Sequence, residues 1–182
     1  MDLLKDKKFN FVSKENKEFI FEFTKQMNLF GYDFNGKIEN GFCWGNFMIV
    51  YSQTGVVNKK VIARIYIRDN GNIIWGGKNY NFYNGIVLRL YFNNVNKHRE
   101  YIENAPSFIK EPFINNNGIC NNCKEECKSV KKYLINGTKI EKCAGIVFEF
   151  YDPKIENVID YMNILKEFYS KKPKNNILNN RC

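Results

Sequence analysis

The sequence predicts an α+β fold: an antiparallel sheet of about five to six strands, helices on one face, and an inserted zinc knuckle–hairpin. Three observations predict it. Residues 60–68 and 85–92 alternate apolar and polar side chains, the period of a half-buried strand. Residues 14–30 and 153–169 repeat apolar side chains at the spacing of one helix face. Four of the six cysteines are spaced C-x2-C-x3-C-x15-C.

The elements follow in order. Ser13 is a candidate N-cap for a helix over about 14–30 that Gly31 stops, with Phe19, Ile20, Phe23, Met27 and Phe30 as its apolar stripe. Asn35-Gly36 reads as a tight turn. Strands are expected at 44–52, 60–68, 72–76 and 85–92. A helix over about 95–104 ends or kinks at Pro106, and 107–113 adds a further turn. The cysteine segment occupies 115–143. A strand at 144–151 and a helix at 153–169 close the domain, with Asp152 as N-cap and Pro153 at the first helical position. Ile155, Val158, Ile159, Met162 and Leu165 are the expected buried face of that last helix. Strand–helix units at 85–102 and 145–162 correspond at a constant offset of 60. Gly85-Ile86-Val87 matches Gly145-Ile146-Val147, Tyr91 matches Tyr151, and Arg89 matches Glu149.

Length and composition set the bounds. The chain has 182 residues, 16 Phe and 11 Tyr, enough for one core, so residues 1–170 read as a single domain. Residues 115–143 are the insertion, and 171–182 a flexible basic tail. The net charge of +9 comes from 28 Lys and Arg, of which only five are Arg, beside 28 Asn. An excess of Lys, Asn, Ile, Phe and Tyr is what an AT-rich coding sequence produces, so the charge is a weak argument for a polyanionic partner. No apolar run approaches a membrane span, and the first residues lack a targeting peptide's apolar stretch. A cytoplasmic setting with no membrane partner is expected, where cysteines suggest metal or redox chemistry.

Cys120, Cys123, Cys127 and Cys143 form the candidate metal site. A C-x2-C turn presents two thiolates to one tetrahedral ion. Asn136-Gly137 is the strongest hairpin signal in the chain, and it pairs Ile135 with Thr138 and runs the register back to Val130 opposite Cys143. Cys143 then lies at the hairpin base near Cys127. One structural Zn²⁺ per chain is the expected cofactor; an iron–sulfur cluster and a disulfide or redox switch are the alternatives. Lys124, Lys128, Lys131, Lys132, Lys139 and Lys142 would offset the negative charge of a four-thiolate zinc site. Four of them, Lys124, Lys128, Lys131 and Lys132, are candidate nucleic-acid contacts.

A second candidate site is a strand face. Arg64, Tyr66 and Arg68 alternate on one strand, Arg89 and Tyr91 on another. Such a face can bind an anionic or aromatic ligand. Otherwise it is a solvated face with cross-strand ion pairs, Glu149 supplying the acid. His98 is the only histidine, and a half-buried ring bonded to backbone is expected there. No nucleophile elbow, P-loop or dinucleotide fingerprint is present.

The stretch Asn96-Lys97-His98-Arg99-Glu100-Tyr101-Ile102-Glu103-Asn104-Ala105-Pro106, then Ile109-Lys110-Glu111-Pro112-Phe113, the knuckle and Glu141-Lys142-Cys143, resembles a clostridial protein family built on a four-cysteine knuckle. The order of elements also resembles YjbR-like small α+β domains, whose shape implies nucleic-acid binding at the level of fold alone. Neither resemblance implies a catalytic residue. The expectation is a non-enzymatic, zinc-stabilised binding or regulatory protein contacting nucleic acid through its basic knuckle and Arg/Tyr face. The alternative is a binder of an anionic or aromatic small molecule.

Overall fold

A computed structural model describes residues 2–40, 47–53, 60–69, 72–75, 78–81, 83–115, 130–142 and 147–170. Helix α1 is Lys14–Leu29. The Ser13 hydroxyl accepts from the Asn16 amide at 3.2 Å, and Gly31 follows the helix at φ +87°. A left-handed residue there costs glycine little, which is why the helix stops where it does. Phe19, Ile20, Phe23 and Met27 are buried as one stripe.

Strands β1 (Tyr32–Asp33), β2 (Glu39–Asn40), β3 (Phe47–Gln53), β4 (Val61–Arg68), β5 (Asn72–Trp75), β6 (Lys78–Asn81) and β7 (Gly85–Tyr91) come next. They are followed by α2 (Arg99–Asn104), α3 (Ser107–Ile114), β8 (Lys131–Ile135), β9 (Thr138–Lys142), β10 (Val147–Tyr151) and α4 (Val158–Tyr169). The main sheet runs β1-β3-β4-β7-β10, with β2 also on β3, and every pairing in it is antiparallel. The expected α+β class is therefore present. Two further two-stranded sheets are β5-β6 and β8-β9.

One sheet face carries Ile49, Tyr51, Ala63, Ile65, Ile67, Ile86, Leu88, Leu90, Phe148 and Phe150, all buried. The helices cover that face. Phe23 of α1 meets Tyr51 edge-on at 5.4 Å, Phe113 of α3 stacks on Phe148 at 4.2 Å, and Tyr161 of α4 meets Phe150 at 5.1 Å. The Tyr51 hydroxyl also bonds the Thr24 hydroxyl at 2.7 Å, which satisfies a phenol that burial pushes well above its ordinary pKa.

Three expectations are corrected. Asp152 does not cap a helix: it sits at φ +47°, and its carboxylate pairs with Lys154. A 3-10 turn, Ile155–Asn157, precedes α4. The helix therefore starts five residues later than expected, and its buried face rotates to Val158, Tyr161, Met162, Ile164 and Leu165. Ile155 and Ile159 are 43% and 69% exposed as a result. Likewise 95–104 is not one helix but a 3-10 turn, Val95–His98, running into α2.

The offset of 60 has a structural counterpart. Strands β7 and β10 are neighbours, paired Val147↔Tyr91, Phe148↔Leu90, Glu149↔Arg89, Phe150↔Leu88 and Tyr151↔Val87. In this register, Arg89 faces its own counterpart Glu149. Each strand also leads into a 3-10 turn and a helix. The two units thus pair about a local twofold axis through Arg89 and Glu149.

The expected hairpin is also present. Ile135↔Thr138 closes it and Lys131↔Lys142 ends the described register, with Asn136 and Gly137 at φ +49° and +73°. It is docked on the core: Tyr133 and Ile135 are buried, and the Tyr133 hydroxyl donates to the Phe113 carbonyl at 2.6 Å.

Candidate anion site on the sheet

Alternation along β4 and β7 sends Arg64, Tyr66 and Arg68, then Arg89 and Tyr91, to the face opposite the helices. Registers across β3, β4, β7 and β10 align Val50, Arg64, Arg89 and Glu149 in one row. Beside it, Met48, Tyr66, Val87 and Tyr151 form a second row. All five residues expected here are brought together. The cross-strand ion pair expected of a solvated face is present between Arg89 and Glu149, but the face is not solvated: Tyr66 is fully buried, Arg68 is 3% exposed and Glu149 7%.

Arg64 and Arg89 lie directly opposite each other. Like charges in such a pair repel, so the arrangement requires compensation. Arg89 has it. Its Nε donates to Glu149 Oε1 at 2.8 Å, its Nη2 bonds the same oxygen, and its Nη1 donates to the Tyr66 hydroxyl at 3.1 Å. Tyr151 donates to the other Glu149 oxygen at 2.7 Å. Both guanidinium carbons of Arg89 and Arg68 lie over the Tyr66 ring, at 4.7 and 5.4 Å. Arg68 also donates to the Tyr83 carbonyl at 3.2 Å.

The ionisation balance follows. Burial disfavours charge on Glu149, but Arg89, with the Tyr151 hydroxyl, holds the carboxyl below its ordinary range. Burial likewise opposes charge on Arg89, and Glu149 outweighs it. For Arg68, burial prevails over the more distant Glu149, and its pKa is lowered. Burial, reinforced by Glu149, pushes the Tyr151 phenol up.

Arg64 is different. Its Nη1 meets the Tyr66 hydroxyl at 3.4 Å and its guanidinium lies 5.5 Å from the centre of the Tyr91 ring. Among the described residues it makes no ion pair, and its buried Nε has no hydrogen-bond partner. The registers place three guanidinium groups on this face, with the Glu149 carboxylate paired to Arg89 and Glu39 further out, opposite Met48.

The other candidates are placed as follows. Cys120, Cys123, Cys127 and Cys143, with Lys124 and Lys128, lie outside the described residues, as do Cys43 and Cys182. Among the described residues no group of metal-ligating side chains is assembled. Lys131 and Lys132 are exposed on β8, and Lys132 and Lys139 share Glu141 at 3.2 and 3.3 Å. Lys142 is buried, with its ammonium 5.2 Å from the centre of the Phe148 ring. His98 bonds to a carboxylate rather than to backbone: its Nδ1 lies 2.7 Å from Glu167. Tyr151 belongs to the sheet network and was legible from its position two residues from Glu149 on the same face. Glu167 left no such local signal.

Compared with protein-family models, curated proteins and solved structures, the chain matches none of them. Among the described residues no helix is long and apolar enough to cross a membrane. The site's own chemistry therefore carries the functional argument.

Proposed function

We propose that the protein binds an anionic small molecule through the guanidinium cluster of its sheet. The observation that carries this reading is Arg64. Among the described residues it faces Arg89 without an ion pair, and its buried Nε has no acceptor. A carboxylate or phosphate placed against the Arg64 guanidinium would neutralise the cross-strand repulsion. The Tyr91 ring under Arg64 offers an apolar surface to the remainder of the ligand. The test is thermal unfolding with inorganic phosphate, citrate and chloride at matched ionic strength. A ligand at a hundredfold excess over its Kd stabilises by about 2.7 kcal/mol. Phosphate or citrate should therefore raise the Tm of the wild type and leave that of Arg64→Met unchanged. Equal shifts in both proteins would assign the effect to general salt action.

The second part of the proposal is a structural zinc ion on Cys120, Cys123, Cys127 and Cys143. The β8-β9 register supports it, since it runs as far as Lys131↔Lys142, the pairing that the expected approach of Cys143 requires. A closed four-thiolate site leaves no position for water, so the metal's work there is to hold the segment in shape.

A second reading, nucleic-acid binding, draws on Lys131 and Lys132 exposed on the same hairpin strand. The buried Tyr66 is closed to base stacking, so contacts would run through phosphates. Affinity for duplex DNA must then fall steeply as salt rises, and a flat salt response removes this reading.

A further inference from the structure

Across the sheet from the arginine cluster, the helical layer carries a groove of about 490 Å³ bordered by Lys97, His98, Glu100, Tyr101, Asn104 and Glu167. The sequence argues against an enzyme because its one histidine was expected to be spent on a backbone bond. The structure removes that ground. His98 is only 16% exposed, and its ring packs on Phe168 at a centroid distance of 4.0 Å. Its Nδ1 is held 2.7 Å from Glu167 Oε1. An ionised carboxylate only accepts, so neutral His98 carries its proton on Nδ1 and presents a lone pair at Nε2. Among the described residues Nε2 has no hydrogen-bond partner. The imidazole is therefore oriented by a carboxylate, fixed by an aromatic ring, and open at one basic nitrogen beside a groove of metabolite size.

We infer that His98 is a general base for the hydrolysis of a small ester, with Glu167 as its positioning residue. Among the described residues that border the groove none is Ser, Thr or Cys, and water is the nucleophile of the inferred reaction. Nε2 takes one proton from water as the water oxygen adds to the ester carbonyl, whose electron pair moves onto oxygen. Collapse of that intermediate breaks the bond to the alcohol oxygen, and the imidazolium returns the proton to it. One water is consumed, and an acid and an alcohol are released. Lys97 and Tyr101 border the same groove and are the candidate donors to the carbonyl oxygen.

The test uses the full chain and p-nitrophenyl acetate. General-base catalysis contributes about 10²- to 10⁴-fold, so His98→Gln should lower kcat/KM by about 10²-fold or more. The six cysteines are common to both proteins, so their background cancels. Glu167→Gln should lower kcat more than it raises KM. The single histidine gives one Cε1 proton resonance, and the midpoint of the pH–rate profile must coincide with its titration in each protein. Equal rates in wild type and His98→Gln overturn the inference. Should His98→Gln not fold, a rate profile whose midpoint departs from the histidine titration overturns it instead.

Discussion

At the scale of single residues, the sequence carried more of the sheet's charge pattern than of its surroundings. The offset of 60 set Glu149 as the counterpart of Arg89, and the two do pair. Alternation placed Arg64, Tyr66, Arg68, Arg89 and Tyr91 on one face, because strand period depends only on the backbone. It could not show that this face is withdrawn from water, since burial is set by what the rest of the chain lays over it. Nor could it join His98 to Glu167, which are 69 residues apart and share no element. The Arg64–Arg89 juxtaposition has a consequence for the ligand-free protein. Like charges directly opposite in a sheet cost about 0.2–1 kcal/mol, and Arg64 also keeps a buried donor unsatisfied. Arg64→Met should therefore raise the urea midpoint of unfolding, by about 0.5 kcal/mol in stability. A fall of that size would mean that its contacts with Tyr66 and Tyr91 outweigh the repulsion.

At the scale of elements, local signals succeeded where one residue type dictates backbone geometry. Gly31 ended α1, and Asn136-Gly137 fixed the register of β8 and β9. They failed where two phases competed. Residues 153–169 offered two apolar stripes, and the 3-10 turn at Ile155–Asn157 selected the one without Ile155 and Ile159. β6 was missed because Lys-Asn-Tyr-Asn carries almost no apolar alternation, although the Gly76-Gly77 pair before it is a hairpin signal. The hairpin also changes what zinc is required to do. The insertion holds few large apolar side chains, but β8 is anchored by Tyr133 and Ile135, by a bond from Leu134 to Asn96, and by one from Asn136 in the turn to Glu103. Metal loss should therefore leave the hairpin in place. Wild-type protein should contain about one zinc per chain. Cys143→Ser should lose it while amide exchange in β8 and β9 stays slow. Tyr133→Ala should have the opposite signature, fast exchange in the hairpin and a loss of about 3–5 kcal/mol, as for other buried aromatic truncations. Fast exchange in β8 and β9 of Cys143→Ser would return the ordering role to the metal.

At the scale of the molecule, stability should be limited by a different chemistry at each end of the pH range. The helical side of the sheet is largely apolar but holds the buried phenols of Tyr51 and Tyr161; the other side depends on the Glu149 carboxylate among guanidinium groups. Glu149 has its folded pKa held below the unfolded value of about 4.3. Its contribution is thus present above that pH and is lost as the pH falls through the folded value. Losing the charge removes the ion pair that Glu149 makes with the buried Arg89. At the alkaline end, burial raises the phenols of Tyr51, Tyr133, Tyr151, Tyr161 and Tyr169. Their contribution is complete below the unfolded value of about 10 and is lost as the pH rises through the folded values. Urea midpoints across pH should therefore show a plateau with an acid edge and an alkaline edge. Glu149→Gln separates the two. It should lower the plateau by about 3–5 kcal/mol and flatten the acid edge, because the group that titrates there is gone, while the alkaline edge remains. An acid edge as steep in Glu149→Gln as in the wild type would place the acid-sensitive group elsewhere and remove Glu149 as the charge on which the buried sheet face turns.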